Sequence, residues 1–317
     1  VLNPELMGMA VGQIAASQVW LLTAGIAALV SLVGFLARTW AGQVGVFFLS
    51  LLLTVPLGLE GHSAAGGDHD YGTNSLLLHL FFIMLWVGGL MGLIAHGRRL
   101  GPDMDVAVRR YSSVALFSIV ALAATGVVNA FIRVELSDLF STRYGLLVLS
   151  KAVLTVVLAA VGYVHRSITI PQLKSSPRLF IRVSIVEVAI MAATVGVAIS
   201  MGRTPPPPPR DPNLNAMQIL VGYELFDAPT FSNVWTMFRF DLMFGSLGLV
   251  LAGFYLYALW RLKRRGLTWS AERTAWFLLG SLGMTLILSN GIGLYMPALY
   301  SMHMLVHMIL SMAIPLC

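Results

Sequence analysis

Tyr111-Ser112-Ser113-Val114-Ala115-Leu116-Phe117-Ser118-Ile119-Val120-Ala121-Leu122-Ala123-Ala124-Thr125-Gly126-Val127-Val128-Asn129-Ala130-Phe131-Ile132-Arg133 is the stretch that decides the fold. No charge interrupts it from Tyr111 to Ile132, and Arg109-Arg110 and Arg133 close its two ends. A helix needs about 20 mostly apolar residues to cross the hydrocarbon of a bilayer, so this segment reads as a membrane span. Comparable stretches fall at 13–37, 42–60, 74–96, 144–165, 180–201, 237–260, 273–295 and from 301 to the end. With 111–133 they make nine spans, the last cut short. The expectation is an all-α polytopic integral membrane bundle.

Composition agrees. Of 317 residues, 57% are hydrophobic and 11% charged, and the mean hydropathy is +0.82. Soluble domains carry about 25% charged residues. Soluble globular, disordered and nucleic-acid-binding classes are therefore excluded, in spite of a net charge of +6. The basic residues read as orientation signals. Arg38, the Arg98/Arg99/Arg109/Arg110 group, the Arg166-to-Arg182 group and the Arg261-to-Arg273 group fall in one set of connections. Most acidic residues fall in the alternate set. The positive-inside rule places the first set in the cytoplasm and the N-terminus outside. The expected location is a bacterial plasma membrane.

Arg203-Thr204-Pro205 to Pro209-Arg210-Asp211-Pro212 is the one break, and five consecutive prolines favour a stiff polyproline spacer. The expected organisation is a six-span unit at 1–202, an external linker at 203–235 and a second membrane unit at 236–317. A start at Val1 and a stop at Cys317 inside an apolar run read as a piece of a longer protein.

Cys317 is the single cysteine, so a disulfide framework and a CxxC site are excluded. Metal chemistry would rest on His, Met and carboxylates. Five of the seven histidines fall at or near the outer face: His62, His69, His79, His303 and His307. The sharpest local pattern is Tyr300-Ser301-Met302-His303-Met304-Leu305-Val306-His307-Met308, followed by Met312. His303 and His307 share one helix face a turn apart, with Met304 and Met308 as the adjacent stripe. Imidazole with thioether suits Cu(I). The competing reading is a span entrance with histidines at headgroup level and methionine as filler. No HExxH, GxSxG or P-loop is present, and no enzymatic activity is expected. The His62/Asp68/His69/Asp70 loop reads either as a metal-capture site or as a solvated Gly-rich loop.

Within the spans, Lys151 and Glu187 stand out, because an unpaired charge in the membrane is costly. A Lys151–Glu187 pair is expected. Asn129 and Thr125 read as interhelical hydrogen-bond glue, and Gly88, Gly89 and Gly92 as close helix packing. Asp241 reads as a partner of Arg239, with a ligand role as the minority reading.

Two family resemblances follow from these residues. Leu78-His79-Leu80 through Trp86-Val87-Gly88-Gly89-Leu90, then Thr125-Gly126-Val127-Val128-Asn129, Thr142-Arg143-Tyr144-Gly145 and Lys151, resemble the copper-resistance D family (CopD). Phe238-Arg239-Phe240-Asp241, Tyr255, Arg264 to Trp269 and Tyr300 to Met308 resemble the cytochrome c oxidase assembly factor CtaG of the caa3 type. The resemblances imply an actinobacterial-type fusion that handles copper. Copper would be captured outside and supplied to the CuB centre of cytochrome c oxidase. They imply His79 and Trp86 in the first unit, and Asp241, His303, Met304, His307 and Met308 in the second; His62, His69, Met302 and Met312 are added from the residues alone. The implied partners are the oxidase catalytic subunit or respiratory supercomplex, copper ions and the lipid bilayer. The alternatives are a haem b, quinone-linked electron carrier, with His96 and His165 as the facing pair, and a metal-free respiratory scaffold.

Overall fold

The computed structural model describes residues 8–9, 12, 15–59, 66–96, 103–172, 177–208, 213–225 and 227–317. The chain divides after Asn213 into two compact units. Among the described residues the architecture is all-helical, and seven helices are long and apolar enough to cross a membrane.

The first unit contains α1 (Ala15–Leu36), α2 (Trp40–Leu51), α3 (Thr54–Leu59), α4 (His69–His96), α5 (Met104–Arg133), α6 (Asp138–Ser141), α7 (Arg143–Thr169) and α8 (Pro177–Arg203). The break between α2 and α3 has a local cause: Pro56 has no N–H to give to Leu52, four residues back. Thr39 and Thr142 start α2 and α7 by accepting the N–H groups of Gly42 and Gly145. Such caps contribute about 1 kcal/mol each.

Small polar side chains are buried in this unit, and large apolar ones face outward. Ser75, Ser118 and Ser184 have no exposed surface, while Phe35, Val120 and Val156 are more than half exposed. Water would reverse that pattern; lipid favours it, since small polar residues let helices approach and hydrogen-bond. α4 packs most extensively on α5, and α7 on α8. Trp86, Leu90, Leu122, Leu158 and Met191 form the central cluster. A second cluster, Leu93, Val108, Ile170 and Phe180, closes one end.

α4 and α7 each contain a π turn, Met84–Gly88 and His165–Thr169. In α4 the turn is braced from α5: Tyr111 Oη donates to Trp86 O at 2.7 Å. The Tyr111 ring lies where a Cβ on Gly89 would stand, so only glycine fits there. Gly88 and Gly92 face open space instead, so of the three glycines only Gly89 marks a close helix approach.

The second unit contains α9 (Ala216–Val221), α10 (Phe231–Thr236), α11 (Phe244–Arg264), α12 (Ala271–Ser289), α13 (Gly291–Tyr295) and α14 (Tyr300–Leu316). Its core is Val234, Leu288, Ile292, Tyr295 and Val306. α11 crosses α12 where a Cβ on Gly248 would meet the carbonyl of Ser281 and the Thr285 hydroxyl. The eighth expected span stops early. Asn290 is extended and its side chain accepts the N–H of Ile292, which ends α12 and starts α13. With Glu272 and Arg273 in its first turn, α12 is long enough for a span and falls short in apolarity, and α14 is shorter.

Residues from Leu214 onward fold with this unit rather than as a spacer. Capping boxes Asn215/Gln218 and Thr230/Asn233 start α9 and α10. Tyr223 Oη donates to Leu294 O at 2.8 Å, and Tyr295 Oη to Asp227 O at 2.9 Å. The stretch 214–235, expected as linker, is thereby tied to α13.

Candidate metal centre

α14 is oriented by one residue. Val306 is 1% exposed and sits in the core of the second unit, with Met302 and Leu310 packed beside it. Those three positions are four apart and define the inward stripe. His303, Met304, His307 and Met308 are consequently turned outward and exposed. Residues four apart on a helix have Cβ atoms about 5–6 Å from each other, so two imidazoles and two thioethers stand on one accessible face. Neither imidazole takes a hydrogen bond among the described residues, which leaves their ring nitrogens open. Met302 is half-buried against the core and lies off that face. No three His, Cys, Asp or Glu side chains converge among the described residues. The donor set of α14 suits a soft monovalent ion held by few protein ligands.

Asp241 has a different occupation. Its Oδ1 accepts the N–H groups of Phe244 at 2.6 Å and Gly245 at 2.9 Å, and its own N–H donates to Ser289 Oγ at 2.9 Å. A carboxylate at the start of a helix is favoured by the helix dipole as well as by these bonds. Arg239 lies over the Tyr223 ring, 5.2 Å from its centre.

In the first unit, His79 and Ser75 on α4 face Thr125 and Asn129 on α5. His79 Nδ1 lies 2.9 Å from Thr125 Oγ1, and Asn129 Nδ2 donates to Ser75 Oγ at 2.6 Å. Thr125 Oγ1 donates to Ala121 O at 2.8 Å. A hydroxyl has one proton; when Ala121 O takes it, His79 Nδ1–H is the donor to Thr125. Nε2 then keeps its lone pair, the arrangement in which a second partner fixes a ligating histidine. His69 opens α4 and stands about 15 Å from His79 along the axis. His62 lies outside the described residues.

Glu187 pairs with His165 and not with Lys151. Glu187 Oε2 lies 3.2 Å from His165 Nε2, and both side chains are buried. Lys151 has no ion pair among the described residues. His96 is exposed and its Nδ1 meets Gly92 O, while His165 faces Glu187; no contact joins the two histidines among the described residues. The His165–Glu187 pair was readable only in part. His165 and Thr169, one turn apart, are a polar signal, but sequence gives no partner across helices.

Comparison with known proteins follows the same division. Residues 105–201 match the copper resistance protein D family (CopD), and residues 253–317 match the cytochrome c oxidase caa3 assembly factor family (Caa3_CtaG). The first match contains Thr125, Asn129, His165 and Glu187 and begins after His79; the second contains His303 to Met308 and begins after Asp241. Uncharacterized proteins of Mycobacterium bovis and Mycobacterium tuberculosis are each 38% identical over 100 residues. One of Mycobacterium leprae is 35% identical over 100 residues. These alignments cover 32% of this chain and 15% of each relative. No solved structure matches the chain. The chain is a multi-pass bacterial membrane protein in which a CopD-like segment is followed by a CtaG-like one.

Proposed function

We propose that this protein handles copper without being an enzyme: it takes Cu(I) at the outer face of the plasma membrane and supplies it for the CuB centre of cytochrome c oxidase. The observation that carries this reading is the outward face of α14, where His303 and His307 stand one turn apart with Met304 and Met308 beside them. Soft donors on an exposed face bind a soft ion and remain open to a receiving protein. The two family matches support the copper class and the oxidase as recipient. In the first unit, His79, which presents an open Nε2 when Nδ1–H donates to Thr125, is the copper-accepting group within the span. Asp241 serves the fold of the α11 start, and His69 is a secondary capture residue at the α4 end.

The test is metal analysis of the purified chain after anaerobic Cu(I) loading, beside the His303→Ala/His307→Ala double variant. Copper lost in the double variant supports the α14 face. Equal copper in both, or none in either, leaves that unit as a metal-free scaffold. CuB content of oxidase from cells carrying the double variant then tests delivery, with recovery in excess copper as the expected sign of a supply role.

A further inference from the structure

Thr169 Oγ1 reaches His165 O at 3.0 Å and His165 Nδ1 at 2.7 Å. Its single proton serves one of them: if the carbonyl, Nδ1–H is the donor and Nε2 of a neutral ring is a bare lone pair; if Nδ1, Nε2 carries the ring's N–H. With either assignment a neutral ring leaves Glu187 an uncompensated carboxylate, and the nitrogen that meets it is Nε2. It faces Glu187 Oε2 at 3.2 Å, outside hydrogen-bond geometry, with side-chain exposures of only 9% and 6%. A lone carboxylate inside a span is costly, and a bare Nε2 lone pair beside it would add repulsion. One added proton removes the charge. It makes either an imidazolium facing a carboxylate or an imidazole accepting from a carboxylic acid, and either form has zero net charge.

The dyad borders a largely apolar cavity of about 160 Å³ between α4, α5, α7 and α8, a setting that favours the uncharged form of the pair. The other titratable or charged groups on its wall are Tyr111 of α5 and Tyr163 and Arg166 of α7. α4 contributes Trp86 and Leu90, and α8 adds Phe180, whose ring meets His165 edge-on at 5.2 Å. The Tyr111 hydroxyl is occupied by Trp86 O and does not compete for the proton. Ser184, three residues before Glu187 on α8, has a fully buried hydroxyl without a partner among the described residues, a second polar group on that helix with bonding capacity to spare.

We propose that His165 and Glu187 form a one-proton binding site, and that the first unit exchanges this proton as copper passes. The shared proton stands on the geometry alone; its coupling to copper rests on the function proposed above. Two measurements on the full chain separate the parts. Infrared difference spectra across a pH titration, with 15N-histidine NMR alongside, read the dyad directly. The expected result is a carboxyl signal, changing together with a histidine signal, that disappears in Glu187→Gln and returns shifted in Glu187→Asp, which keeps a carboxyl. Identical titrations in wild type and both variants overturn the shared proton. The second measurement uses proteoliposomes with a lumenal pH dye and anaerobic Cu(I). The expected result is a pH change that accompanies copper in the wild type and falls to the empty-vesicle level in Glu187→Gln. Copper movement with no pH change overturns the coupling. No copper movement in the wild type overturns the coupling together with the copper role of this unit, and the spectra alone then decide the proton site.

Discussion

The histidines of the first unit and those of the second are built in opposite ways. His79 and His165 are buried, and each has its Nδ1 fixed by a threonine, Thr125 and Thr169. His303 and His307 are exposed with no such brace among the described residues. A buried imidazole with one nitrogen fixed has a defined tautomer and one defined task for the other. An exposed pair without braces is adjustable, which suits an ion that must be received and then released. The difference teaches that burial assigns the proton or ligand state of a histidine, while exposure leaves it to the partner.

The largest effect that tests this contrast is on bound copper. His303→Ala/His307→Ala is expected to remove copper from the second unit while leaving thermal stability in micelles unchanged, because nothing in the core leans on either ring. A large drop in melting temperature would break the comparison by making these rings structural. Glu187→Ala is expected to act in the reverse sense. It leaves a buried histidine without its partner, a loss of about 3–5 kcal/mol, read by denaturant unfolding; a loss no larger than that of a surface substitution would refute the dyad. Gly248→Val forces α11 from α12 and is expected to lower stability by about 1–3 kcal/mol, with copper on α14 as the internal reference. Thr125→Val is the smallest change. It should cost about 1 kcal/mol and redistribute the His79 tautomers seen by 15N NMR. An unchanged spectrum would show that Thr125 does not set the ring.

Much of the fold was legible because lipid makes a crude demand. A long uncharged stretch such as Tyr111 to Ile132 has few other stable destinations, and its helix appears as Met104–Arg133. The reading was weaker where local chemistry competes with hydropathy. Asn290 ends α12 by taking the Ile292 N–H, a side-chain event invisible to a window average. The stretch 214–235 looked like spacer because its anchors, Tyr223 and Tyr295, lie far apart in sequence and meet only when folded. At the candidate site, the outward set of α14 was readable from four-residue spacing. That Met302 would turn inward with Val306 follows from the same spacing, once the inward residue is known. The partner of Glu187 was not readable, because Lys151 and His165 both lie on α7, about 21 Å apart along its axis, and only the packing of α7 on α8 sets which of them is level with Glu187.

Those π turns have a consequence for how such chains are compared. A π turn holds one residue more than the α-helical path needs, so everything beyond it is rotated by about 100°. In α4 the surplus residue lies between His79, which faces Thr125, and Leu90 and Leu93, which fill the two core clusters. A related span lacking one residue within Met84–Gly88 would keep both faces in phase only by repacking one of them. The same one-residue gap placed elsewhere in an alignment would look equally harmless and would describe a different surface. For this protein, the position of a gap within a span carries as much structural meaning as the identity of the residues around it.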